Sequence, residues 1–252
     1  MRLFCNMREV ISSKDNRIVR LARSLATKKG REESGLFLAE GGNLTRDIPE
    51  SAEIAFYLVS ESRAEEADGL ALARAEVYHV TDAVMKSVSD TVTPYGLAAA
   101  VVIPKREFRL PAGNALLLDG VSDPGNVGTL LRTAAAAGFE DVYLLGCADP
   151  YSGKVVRASM GGIFRVRVTE VSETEALSLA SDTRSVVLDM GGRDLTKDGL
   201  PAPVTLIAGS EAHGVREALK AAAAEACSLP MKNQTESLNV AIAAAVAMYF
   251  VR

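Results

Sequence analysis

Apolar positions along this chain fall into two regimes. In the first hundred residues, short apolar runs alternate with charged segments. Residues 16–28 set Ile18, Val19, Leu21, Ala22 and Leu25 at helical spacing, with basic residues on the opposite side. Strands are expected over 36–39, 55–59, 76–80 and 96–102, with helices over 64–75 and 81–89. Beyond residue 113 the pattern is more regular. Apolar strands at 115–118, 142–145, 164–168, 186–189, 204–208 and 228–231 alternate with helices at 127–137, 155–159, 173–181, 215–226 and from 238 onward. Continuous apolar strands separated by helices predict an α/β fold with a mostly parallel sheet covered on both faces. Ligands of such sheets bind outside the carboxyl ends of the strands. A polar, proline-bounded stretch at 104–113 divides the regimes, giving an N-terminal domain 1–106, a linker 107–113 and a second domain 114–252.

Composition narrows the picture. A chain of 252 residues with 48% hydrophobic and 24% charged residues can bury an ample core. Trp is absent and aromatics are 5%, which argues against broad base-stacking platforms. Residues 1–31 carry nine Lys or Arg and two acids, a net +7, while the whole chain is −4, so the remainder is −11. A basic front on an acidic body points to a polyanionic partner at one end. The residues available for that contact are Arg17, Arg20, Arg23, Lys28, Lys29 and Arg31. A solvated helix face gives the same pattern. Three scattered cysteines form neither a disulfide framework nor a zinc motif, and fit a reducing cytoplasm. No metal site is expected. The longest apolar run, 240–251, would span about 18 Å as a helix, too short to cross a membrane.

Three loops following apolar strands hold the candidate chemistry. In the first, Asp123-Pro124-Gly125 is turn chemistry, Asn126 is a good helix cap, and Gly128 admits a close backbone. Arg132 follows six residues after Asn126. A helix N-terminus with an arginine suits a phosphate or ribose phosphate, although an exposed helix arginine is the plainer interpretation of Arg132 alone. In the second loop, Gly209 would let a flat ligand lie on the backbone, and Glu211 could bind a ribose hydroxyl or cap a helix. In the third, Thr235 or Ser237 could cap the terminal helix. Asn239 opens an apolar helix and needs a partner if buried. Neither a dinucleotide fingerprint nor a P-loop is present.

Four segments occur in order: LDGVSDPGNVGTLLRTAAAAG, KVVRASMGGIFRV, LIAGSEAHGV and LPMKNQTESLNVAIAAA. Through them, residues 115–252 resemble the catalytic domain of the SpoU (TrmH-like) RNA ribose methyltransferases of the SPOUT superfamily. The N-terminal part, with Leu36 to Gly41, is more loosely similar to the small α/β RNA-binding domain of ribosomal-protein type fused to such enzymes. The resemblance implies a deep trefoil knot in the second domain and S-adenosylmethionine as methyl donor. It implies that Gly209, Leu229 and Leu238 hold the cofactor, with Leu188, Ile207 and Met231 lining its pocket. Asn126, Arg132, Glu211, Ser237 and Asn239 would form the catalytic constellation. It also implies a homodimer through the knotted domain and C-terminal helix, and an RNA substrate, ribosomal RNA ahead of transfer RNA. The loop 232–236 departs from the small glycine-containing loop of many relatives.

Overall fold

The computed structural model describes residues 9–65, 74–233 and 237–251. Most of the helix expected over 64–75, and the centre of the 232–236 loop, lie outside the described residues. The chain forms two compact units. One contains the residues up to Pro104 together with Tyr151–Gly153; the other is Lys105–Pro150 and Lys154–Arg252.

The first unit is a five-stranded mixed sheet, ordered β1-β4-β3-β5-β2. Its strands are β1 (Val10–Ile11), β2 (Leu36–Glu40), β3 (Ile54–Ser60), β4 (Glu76–Val80) and β5 (Leu97–Val102). β5 runs antiparallel between β2 and β3, while β4 pairs in parallel with β1 and β3. The helical stretch expected over 16–28 is two helices. α1 (Arg17–Ser24) is capped by Asn16, and α2 (Lys28–Ser34) by Thr27. α3 (Gly42–Arg46) follows β2, and α4 (Asp82–Val88) starts at Thr81, whose side chain accepts from the Val84 N–H. Val19, Ala22 and Leu25 pack with Leu58, Val84 and Met85 in the core.

The second unit is a six-stranded sheet, every pair parallel, ordered β11-β9-β10-β6-β7-β8. The chain runs through β6 (Ala115–Asp119), α5 (Pro124–Ala136), β7 (Asp141–Leu145), α6 (Gly153–Ala158), β8 (Arg167–Glu170) and α7 (Glu173–Asp182). It continues with β9 (Ser185–Asp194), α8 (Leu195–Asp198), β10 (Thr205–Gly209), α9 (Glu217–Ala222), β11 (Glu225–Ser228) and α10 (Val240–Tyr249). Leu116, Leu117 and Leu118 are fully buried, as expected of a strand covered on both faces. Three expected elements move, the first being the strand expected over 228–231, which forms at 225–228 as β11. Residues 162–164 form a 3₁₀ turn and β8 starts later, while the helix expected over 215–226 stops at Ala222 so that 225–228 can pair with β9.

The segment expected as a linker packs on this second unit. Phe108 meets the Tyr143 ring edge-on at 6.2 Å, and the Tyr143 hydroxyl donates to the Arg109 carbonyl at 2.8 Å.

Two glycines set the layout around α5. A Cβ on Gly128 would lie 2.5 Å from the Ala158 Cβ and 2.7 Å from the Val155 carbonyl oxygen, so α6 sits directly on α5. A Cβ on Gly162 would lie 2.7 Å from the Arg132 Cα, so the 3₁₀ turn presses on the α5 backbone. Replacing Gly128 with Ala should cost on the order of 2 kcal/mol in urea denaturation. Unchanged stability would mean that α6 is not held against α5.

Candidate active site

The loops following β6 and β10 and the start of α10 meet in one hydrogen-bonded cluster. Asp123, not Asn126, caps α5. Its Oδ1 accepts from the Asn126 N–H at 2.9 Å, and Pro124 opens the helix with no N–H to satisfy. The Asn126 side chain is therefore free to point elsewhere. Its Nδ2 donates to Glu211 Oε1. Asn239 Nδ2 donates to Asn126 Oδ1 at 3.1 Å and to Glu211 Oε1 at 3.3 Å. Asn239 Oδ1 accepts from the Ala241 and Ile242 N–H groups at 2.9 and 3.3 Å, which makes Asn239 the cap of α10 in place of Thr235 or Ser237. These bonds fix both amides. With its oxygen committed to the helix, Asn239 must present its NH₂ to Asn126 and Glu211.

Glu211 is held by a tight loop. A Cβ on Gly209 would lie 2.1 Å from the Gly214 carbonyl carbon, so the chain folds back onto the end of β10. The Gly214 N–H donates to the Ser210 carbonyl at 2.8 Å, and the His213 N–H to the Ser210 hydroxyl at 3.3 Å. The absence of a side chain at Gly209, expected to serve a ligand, is required first by the protein's own backbone. The far end of the loop is anchored by Asp119, buried at the end of β6. It accepts from the Arg216 N–H at 2.8 Å and pairs with Arg216 Nε at 3.1 Å. Arg216 also bonds Glu173 at 2.8 Å.

A cavity of about 210 Å³ adjoins this cluster at the carboxyl end of β10 and beside Leu188–Met190 of β9. Leu188, Gly209, Leu229, Met231, Ser237 and Leu238 line it, together with Glu211. Ile207 does not. Side chains alternate along β10, and Ile207 is fully buried in a core cluster with Tyr143, Val187 and Leu219, while Ala208 faces the cavity. Sequence reasoning missed Asp189, Ser210 and Ser228, which also line it. The visible signal for Asp189 was a carboxylate ending an apolar strand, as at Asp119. Asp189 accepts from Lys220 at 2.8 Å and from the Gly191 N–H at 2.9 Å, and these two bonds, Lys220 first, hold its carboxyl below the usual range.

Arg132 stands apart from the cluster. It is exposed and makes no hydrogen bond or ion pair with any described residue. It lies six residues past Asn126, about 9 Å along α5. Ser237 is likewise exposed and is placed at the cavity rather than in the hydrogen-bonded cluster.

In the first unit, Arg17, Arg20 and Arg23 are exposed along α1, with no acid in that helix. Lys28 and Lys29 are exposed and face Glu32 and Glu33 one turn on, each at 3.7 Å. Arg31 departs from expectation. It is 4% exposed, and its Nη1 donates to the Leu25 carbonyl at 2.6 Å, closing the end of α1. Among the described residues no group of His, Cys, Asp and Glu could hold a metal, and no helix is long and apolar enough to cross a membrane.

A parallel α/β unit with a ligand-sized cavity at its strand ends defines the general class of this protein. Comparison with known proteins defines the family. The SpoU rRNA Methylase family matches residues 113–249, and the MRM3-like substrate binding domain matches residues 16–99. The 23S rRNA (guanosine(2553)-2'-O)-methyltransferase RlmP of Bacillus subtilis is 32% identical, covering 98% of this chain and all of the relative. The crystal structure of an AdoMet-bound rRNA methyltransferase from Sinorhizobium meliloti superposes with a TM-score of 0.84 at 27% identity, covering 96% of each chain. That of an RNA 2'-O ribose methyltransferase gives 0.81 at 32% identity, covering 96% of this chain and 97% of the other. The chain belongs to the SpoU rRNA methylase family.

Asn239 has two separable jobs. Asn239→Ala should lower stability by about 1 kcal/mol in urea denaturation through loss of the helix cap. Asn239→Ser should recover most of that loss, because a hydroxyl can cap. Equal loss in both variants would show that the cap contributes little.

Proposed function

We propose that this protein transfers a methyl group from S-adenosylmethionine to a ribose 2′-hydroxyl of ribosomal RNA. The observation that carries this is the joining of Asn126, Glu211 and Asn239 beside the strand-end cavity, with Arg132, which bonds no described residue, on the same helix as Asn126. The cavity suits the cofactor. Leu188, Leu229, Met231 and Leu238 offer apolar walls to a flat adenine, and the Glu211 carboxylate suits a cationic ligand. When bound, S-adenosylmethionine supplies an electrophilic methyl group on a sulfonium.

The work of the side chains follows from their bonding. Glu211 Oε1 accepts from both amides, leaving Oε2 to take a hydrogen bond from a ribose hydroxyl. Asn126 and Asn239 keep that carboxylate from turning. As the ribose oxygen takes the methyl group, the S–CH₃ bond of the sulfonium would break to leave a neutral thioether, and the hydroxyl proton would pass to water. Arg132, permanently charged, stabilises the developing alkoxide and binds the neighbouring phosphate. Ser237, at the cavity, helps place the ribose. Much of the rate comes from fixing the two reactants in line.

Three further features belong to this reading. The exposed Arg17, Arg20 and Arg23 would meet RNA phosphates, with Lys28 and Lys29 beside them. Ile242, Val246 and Tyr249 form an exposed apolar stripe on α10, at 51%, 38% and 67% exposure, which suits a homodimer through that helix. A trefoil knot belongs to the same reading, which agrees with the packing of α10 on α5 and β10 and with the Leu200–Val251 bridge.

Arg132→Ala should abolish methyl transfer to ribosomal RNA while leaving S-adenosylmethionine affinity in calorimetry nearly unchanged. Normal turnover in that variant would refute the assignment. The triple change of Arg17, Arg20 and Arg23 to Gln should weaken RNA binding and flatten its salt dependence, because about three fewer counterions are released. An unchanged salt slope would take α1 out of the interface.

A further inference from the structure

Between α6 and the 3₁₀ turn at Gly162–Phe164, the backbone passes through two consecutive left-handed residues. Gly161 has φ +83° and Met160 has φ +45°. Glycine adopts that region freely. A long side chain does so at a cost, and such residues persist where the surroundings over-determine them. Here they do. The Met160 N–H donates to the Arg157 carbonyl at 3.1 Å, the Gly162 N–H to the Ser159 carbonyl at 2.8 Å, and the Phe164 N–H to the Gly161 carbonyl at 3.1 Å. Ser159 is fully buried, and its hydroxyl donates to the Val156 carbonyl at 2.7 Å. The turn is thus rigid, yet Met160 at its tip is 54% exposed. A core-packing role does not account for a strained apolar side chain held out in solvent.

Its surroundings say what would cover it. Two residues on, Gly162 touches the backbone of Leu131 and Arg132, so this turn packs directly on the part of α5 that carries the proposed catalytic arginine. The turn ends in Arg165, which is exposed and, like Arg132, bonds no described residue through its side chain. A soft, exposed thioether on a turn that touches the Arg132 backbone and ends in Arg165 is matched by a nucleotide, with its flat apolar base and adjoining phosphates.

We propose that Met160 packs against the base of the target nucleotide and that Arg165 pairs with an adjacent phosphate. This rests on the RNA methylation reading and adds to it a base platform and a second phosphate contact. The strained turn places the thioether without borrowing loop flexibility.

The test uses the full chain, tritiated S-adenosylmethionine, and ribosomal RNA from cells lacking the gene. Met160→Gly relieves the backbone and removes the side chain. Its Tm should equal or exceed that of the parent by about 2–4 °C. Cofactor affinity should stay within twofold, and kcat/KM for RNA should fall at least tenfold. Met160→Leu should recover most of that loss. Arg165→Ala should reduce the slope of log affinity against log salt by about 1. Parental kcat/KM in Met160→Gly would overturn the proposal. So would a cofactor affinity that falls as far as the RNA kinetics, since the turn would then serve the cavity. An inactive parent on every ribosomal RNA would instead refute the functional reading and this inference with it.

Discussion

The hydrogen bonds among Asn126, Glu211 and Asn239 tie together three places in the chain, separated by 85, 28 and 113 residues. Glu211 and Asn239 are exposed and Asn126 is half-buried, so each bond adds little net stability. What the cluster does is orient. A carboxylate that accepts two amides on one oxygen cannot rotate freely, and an asparagine whose oxygen caps a helix cannot flip. The position of the terminal helix thereby sets the direction of Glu211. Because α10 packs on α5 and β10, the same helix that closes the fold also sets the site.

Close backbone approach makes that geometry possible. Gly209 lets the Glu211 loop fold against its own strand end, and the buried Asp119–Arg216 pair anchors the other end of that loop. Gly162 presses the 3₁₀ turn onto the backbone beneath Arg132. Steric fit, more than polar bonding, therefore fixes where the arginine stands relative to the carboxylate. Arg132 bonds no described residue, as suits a group whose proposed partner is RNA.

Much of this was legible in the sequence. Continuous apolar runs such as 115–118 and 142–145 declare buried parallel strands, and the order of the four motifs declares the family. What the sequence could not reveal is instructive. Asn126 and Asp123 are both good caps, and only the competition between them, won by the residue before Pro124, decides which side chain is free. Arg31 looks like one more surface cation, but tertiary packing buries it against the end of α1. Ile207 directly precedes Ala208, which lines the cavity, and one step of strand alternation turns its side chain into the core. The 215–226 stretch has helical composition throughout, yet its end is taken by pairing with β9, a long-range contact that local pattern does not encode.

The central claim is that this arrangement delivers a ribose 2′-oxygen to a sulfonium methyl group. The most direct measurement is to incubate the protein with ribosomal RNA from cells lacking the gene and isotopically labelled S-adenosylmethionine, digest the RNA to nucleosides, and locate the label by mass spectrometry. A single labelled 2′-O-methylnucleoside is the predicted product. Label on a base, or none in RNA, would contradict the account.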